Sequence, residues 1–303
     1  MGGEGAPPDA PAGFGSRSPP TPDESWWRTL VHAVRGTGGD PTEGPVDRAI
    51  VLLAVPMVLE MAMESIFAIV DIFCVSRLGD PAIAGVALTE SLLTIVYTAA
   101  MGLSIGVTAM VSRRMGEGDP DAAGRATVQA VLFGSLLAVL FGVAGVLGAE
   151  SLLRLMGADE ATVAASSGYT RILLGGNAVI VLLFLQNAAF RGAGDAALAM
   201  RVLWLANGLN IVLDPCLIFG LGPFPELGLT GAAVATTIGR GTAVLVQLYA
   251  LFRLGGRLRV AARHLRVEIP VMVRLVRLSA TGTFQIFIGM ASWIGLVRII
   301  AEF

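Results

Sequence analysis

Long apolar stretches separated by short polar ones set the outline of this chain. Between Arg48 and Gly79 the sequence is almost wholly apolar apart from three carboxylates. About 20 such residues suffice to cross a bilayer as a helix. Comparable stretches recur, and they predict spanning helices at about 49–76, 83–112, 122–148, 169–189, 197–220, 228–252 and 278–301. The ~10-residue alternation of barrel strands is missing. The predicted fold class is therefore all-α integral membrane. Ser25–Arg35 carries Trp26, Trp27, Leu30, Val31 and Val34 on one side, the pattern of a short helix lying at the membrane interface, a plain tail with two stray tryptophans being the alternative.

Composition agrees. Of 303 residues 54% are hydrophobic and 15% charged, with mean hydropathy +0.74. A soluble domain carries roughly a quarter charged residues. The basic residues are all arginine, and a net charge of −2 points to no nucleic-acid partner. Arginine placement predicts a cytoplasmic N-terminus. The segments then inside hold Arg35, Arg48, Arg113, Arg114, Arg125, Arg191, Arg201 and seven more from Arg253 to Arg277; those outside hold Arg77, Arg154 and Arg171. Cys74 and Cys216 read as small apolar packing residues, a disulfide between them being the alternative. His32 and His264 lie outside the spans, and no metal spacing or nucleophile–base pair marks an enzyme.

The candidate chemistry is intramembrane charge, which is costly at that depth and so points to function. At ~100° per residue, Glu60, Glu64 and Asp71 fall at about 0°, 40° and 20° on the first span. They form one acidic stripe, with Pro56 a turn before it, where a bend is expected unless neighbours satisfy the freed carbonyl. Glu90 sits on the second span. On the fifth, Asn207, Asn210 and Asp214 share a face, with Pro215 following the acid; an acid beside an amide and freed carbonyls can hold a proton or sodium ion. Capping of a helix break is the plainer alternative. Pairing the two stripes predicts an acidic, amide-lined cavity with Met57, Met61, Met63 and Phe67 around it. Arg240, inside the sixth span, is expected to face a cavity or headgroups rather than bind substrate.

Five motifs in order carry a resemblance. They are PMVLEMAMESIFAIVDIFCVSRLG, GLSIGVTAMVSRRMGEGD, FRGAGD, NIVLDPCLIFGLG and GLTGAAVAT. Together they resemble the multidrug and toxic compound extrusion (MATE) transporters, most closely the prokaryotic DinF-like branch. The resemblance implies a twelve-helix, two-lobe fold in the inner (plasma) membrane and secondary antiport. Drugs or toxic organic, often cationic compounds leave as H⁺ or Na⁺ enters, without a cofactor. It implies a cation-coupling site at Asp71, Asn210 and Asp214, which would also hold Na⁺. Glu60, Glu64, Asn207, Thr236 and Pro56 would line or support the substrate cavity. Thr236 or Thr237 would match a family threonine.

On this reading 1–45 is a disordered cytoplasmic tail with an interfacial helix. A six-helix transporter lobe spans 46–254, 255–277 is a cytoplasmic basic linker, and 278–303 is the first helix of an incomplete C-terminal lobe. A weak repeat at a 225-residue shift, placing Glu60 over Gln285, supports that assignment. The missing lobe or a second copy is expected to be needed for transport. Competing readings are a lipid-linked saccharide flippase of the same superfamily, which expects cavity arginines, and a non-transporting fragment.

Overall fold

A computed structural model describes residues 26–37, 45–253 and 256–300, with the side chains of the last helix described as far as Ile288. Residues 1–25, most of the expected tail, lie outside the described residues. The helices are α1 (Trp26–Arg35), α2 (Val46–Ser76), α3 (Asp80–Gly116), α4 (Pro120–Leu155), α5 (Glu160–Gly175), α6 (Asn177–Gly192), α7 (Ala196–Phe219), α8 (Leu229–Arg253) and α9 (Ile269–Ile300). Six are long and apolar enough to cross a membrane, and α5 with α6 makes a seventh, bent span. The protein is an all-α, multi-pass membrane protein.

The differences from the sequence expectation have local causes. Ser151–Leu155, expected in a loop, completes α4, because nothing in SLLRL breaks a helix before Gly157 turns the chain at φ +89°. The loop expected over 151–168 shrinks accordingly. Asp159 caps α5, its carboxylate accepting from the Thr162 amide at 2.8 Å. Thr162, by its hydroxyl and then its amide, holds that carboxyl below the usual carboxylate range. The cap therefore persists at neutral pH and is lost only in strong acid. The expected single helix at 169–189 is two, α5 and α6, meeting at 42° beside the Gly175–Gly176 pair. Asn177, fully buried, donates to the carbonyls of Ala138 and Leu174 at that break. Helix α9 starts at Ile269 rather than about 278, so Arg274 and Arg277 are helical.

The core lies among α3, α4, α5, α6, α7 and α8, centred on Leu93, Leu185, Ile218, Val107 and Val111. Small residues let these helices approach, as between spans generally. The glycine-rich end of α3 does this for α9: Gly102 faces Thr283 and Gly106 faces Ser279. Helix α2 packs chiefly on α7 and buries only Pro56, Phe67, Cys74 and Val75. It runs unbroken through Pro56. Both cysteines are free. Helix α1 buries Thr29 and Ala33 against its neighbours rather than the side that carries Trp26 and Trp27, which stay exposed.

The segment before α9 is fastened to the start of α4. Gln129, fully buried, donates to the Arg266 carbonyl at 2.7 Å and accepts from the Glu268 amide at 2.9 Å. Arg263 reaches Asp121 at 2.6 and 2.8 Å, and buried His264 lies 3.4 Å from the same carboxylate. Replacing Gln129 by Leu removes both backbone partners. A loss of about 1–3 kcal/mol for each group left unsatisfied is expected. Hydrogen exchange checks this: the Glu268 amide should exchange faster, and unchanged protection would contradict the fastening role.

Candidate functional site

The stripes of α2 and α7 meet, with α8 closing behind them. Asp71 and Asp214 lie near enough for their carboxyls to interact. Asp214 is fully buried, and its Oδ1 has no hydrogen-bond donor. Asn210, one turn earlier on α7, bridges to α8. With its amide oxygen toward Thr236 it accepts from the Thr236 amide at 2.9 Å and hydroxyl at 3.1 Å, and donates to Asp214 Oδ2 at 2.7 Å. The reverse amide orientation keeps only one bond, to the Thr236 hydroxyl at 3.1 Å, so the first satisfies more of the network. Thr237 instead turns back to the Ala233 carbonyl. Asp214–Pro215, expected mid-span, lies in the last turns of α7, and Asp71 is correspondingly near the end of α2. The acids therefore sit towards the end of the bundle opposite Arg48 and Arg191.

Two cavities flank this cluster. The upper, of about 280 Å³, is lined by Asp71, Glu90, Tyr97, Tyr169, Thr236 and Arg240 among others. The lower, of about 470 Å³, includes Met57, Met61, Met101, Phe184, Glu60 and Glu64 in its wall. Here the structure departs from the expected acidic cavity, because each glutamate meets an arginine. Glu60 lies 3.2 Å from Arg191, and Glu64 lies 3.6 Å from Arg240 while accepting from Asn207 at 2.9 Å. The attraction within each pair offsets part of the cost of desolvating the charges and leaves the lower cavity near neutral. Phe67 lines the upper cavity and Met63 neither. Pro56 is buried in α2 outside both linings.

Three residues escaped the sequence reading. Tyr97 accepts from Arg240 at 2.9 Å; its spacing of seven from Glu90 puts the two on one face of α3, a signal that was available. Arg191 sits in the last turn of α6, where a count of loop arginines hides its role. Tyr169 has no pattern that marks it. Among the described residues no group of three or more His, Cys, Asp or Glu could hold a metal ion.

Comparison with known proteins places these features in a family. The MatE family profile matches residues 56–216. A protein called FAD transporter from Shewanella oneidensis is 31% identical over 192 residues, which is 63% of this chain and 42% of that one. A probable multidrug resistance protein, YoeA, from Bacillus subtilis is 27% identical over 260 residues, 84% of this chain and 56% of its own length. A solved outward-facing multidrug resistance MATE family transporter of the MOP superfamily superposes with TM-score 0.74 at 30% identity. It covers 87% of this chain and 56% of that one. The chain thus spans about half the length of the relatives it matches.

Proposed function

The chain belongs to the MatE family, and from that premise we propose that it acts in secondary antiport across the inner membrane. It exports hydrophobic organic cations or amphiphiles while H⁺ or Na⁺ enters. The observation carrying this reading is the Asp71–Asp214 pair. Two neighbouring carboxyls, one of them fully buried, do not both stay ionised without a cation beside them. A proton on one, or a sodium ion among Asp71, Asp214, the Asn210 amide and the Thr236 hydroxyl, supplies that charge. The buried Asp214 Oδ1 is free to take either. Cargo occupies the lower cavity, where three methionines and Phe184 offer an adaptable apolar wall. Glu60 and Glu64 give it polar anchors, and Asn207 holds Glu64 in place.

A second reading has its own support. The lower cavity contains two arginines, and one relative is named an FAD transporter, so an anionic cargo is the competitor; a lipid-linked saccharide with a pyrophosphate is of the same class. Both guanidiniums already face glutamates, which favours cationic cargo. The experiment is binding of tetraphenylphosphonium and of FAD to the purified chain in lipid nanodiscs. Saturable tetraphenylphosphonium binding that Glu64→Gln weakens at least ~10-fold, about 1.4 kcal/mol, supports export of cations. Binding of FAD alone, lost in Arg191→Gln, would replace it with the anionic reading.

A further inference from the structure

Arg240 belongs to both cavities. Its guanidinium, with Glu64, Tyr97 and Ile180, forms the wall they share. One nitrogen donates to the Tyr97 hydroxyl at 2.9 Å and another lies 3.6 Å from Glu64 Oε1. The carbon of the guanidinium is 5.9 Å from the Tyr97 ring centre, so the aromatic face also favours the charge. The groups facing Arg240 are Glu64 and Asp71 from α2, Glu90 and Tyr97 from α3, and Tyr169 from α5, with Asp214 of α7 behind Asp71. Of these, Asp71 and Glu90 line the upper cavity together with it. The upper cavity therefore holds more carboxyls than cations, and its one arginine is divided between that cavity and the lower one.

We propose that Arg240 links cargo and coupling ion, resting on the antiport reading above. A cationic cargo group arriving at Glu64 displaces the guanidinium, which swings towards Asp71 and Glu90 and takes the place of the coupling cation. A proton or sodium ion arriving at Asp71 and Asp214 drives it back onto Glu64, which closes the cargo anchor. The two ligands then exclude each other without sharing a single contact. Arginine suits this task because its charge is permanent and its long side chain can change partners without helix movement. Tyr97 tethers it within reach of both sets of carboxylates. Antiport needs such mutual exclusion, and linkage makes it reciprocal: whatever the ion does to cargo affinity, cargo does to ion affinity.

The test is tetraphenylphosphonium affinity of the purified chain in nanodiscs, measured across sodium concentrations at fixed pH and across pH at fixed sodium. In the wild type, affinity should fall with one of the two ions by ~5-fold or more, within the range of ordinary coupling. In Arg240→Gln, cargo still binds but its affinity no longer responds to that ion. Arg240→Lys, which keeps the charge, should restore most of the response; a merely structural arginine would not show that split. A full ion response in Arg240→Gln overturns the proposal, as does a wild type that binds cargo without responding to either ion. A wild type that binds no tetraphenylphosphonium strikes the antiport reading itself. Should Arg240→Gln not fold, Glu64→Gln gives the same answer from the other side. With no partner below, the guanidinium stays with Asp71 and Glu90, and the ion that displaces cargo in the wild type binds several-fold more weakly to the variant. Unchanged ion affinity overturns the proposal.

Discussion

Cells expressing Asp71→Asn or Asp214→Asn should lose drug resistance to the level of cells without the protein, while the protein still reaches the membrane in normal amount. Asparagine fills nearly the same volume and can keep a hydrogen bond across the pair, so packing is retained. What goes is ionisation. With one member neutral and unable to titrate, the pair no longer needs a cation, and neither proton nor sodium is taken up at physiological concentrations. Asp214 should be the more sensitive of the two. It is fully buried, it is bonded to Asn210, and its second oxygen has no other donor. Minimum inhibitory concentrations beside membrane-fraction blots check this, and full resistance in Asp214→Asn would remove the pair from the coupling mechanism.

The second large effect is expected from one glycine. A β-carbon at position 239 would lie 2.7 Å from the Ala206 carbonyl oxygen and 3.3 Å from Asn210 Cβ. The close neighbour is backbone, which cannot rotate aside, so Gly239→Val must push α7 from α8. Overpacking of this kind costs about 1–3 kcal/mol. The movement falls on Asn210 and Thr236, so the bridge between the helices loosens together with the fold. Gly208 on α7 is the contrast, because a β-carbon there meets nothing within 4 Å. Gly208→Ala should be neutral or slightly stabilising, since alanine favours a helix interior by roughly 0.5–1 kcal/mol. Thermal unfolding in detergent should show a lowered midpoint for Gly239→Val and none for Gly208→Ala. Equal midpoints would mean that this contact does not limit the approach of α7 and α8.

Much of the frame is legible in the chain because bilayer thickness fixes helix length and carboxylates in apolar runs stand out. The shared face of Glu60, Glu64 and Asp71 follows from helical spacing alone, as does that of Asn210 with Asp214. What spacing along one helix does not reveal is the partner on another. Arg191 and Arg240 come from α6 and α8, and only packing shows that they turn an acidic stripe into two ion pairs. The bend between α5 and α6 is invisible for a related reason: hydropathy runs straight through Gly175 and Gly176, whereas the direction of the backbone does not. Helix α9 begins ahead of the expected start because Arg274 and Arg277, which read as linker in the sequence, are part of its first turns.

On the proposed function, the cluster of Asp71, Asn210 and Asp214 couples an inward cation to outward cargo. Its most direct test is efflux of tetraphenylphosphonium from proteoliposomes containing the protein, under an imposed proton or sodium gradient, for wild type and Asp214→Asn side by side. The expected result is efflux that follows one gradient, stops when that gradient is collapsed, and is absent in Asp214→Asn. Efflux that persists in Asp214→Asn, or that proceeds in the wild type without either gradient, would contradict it.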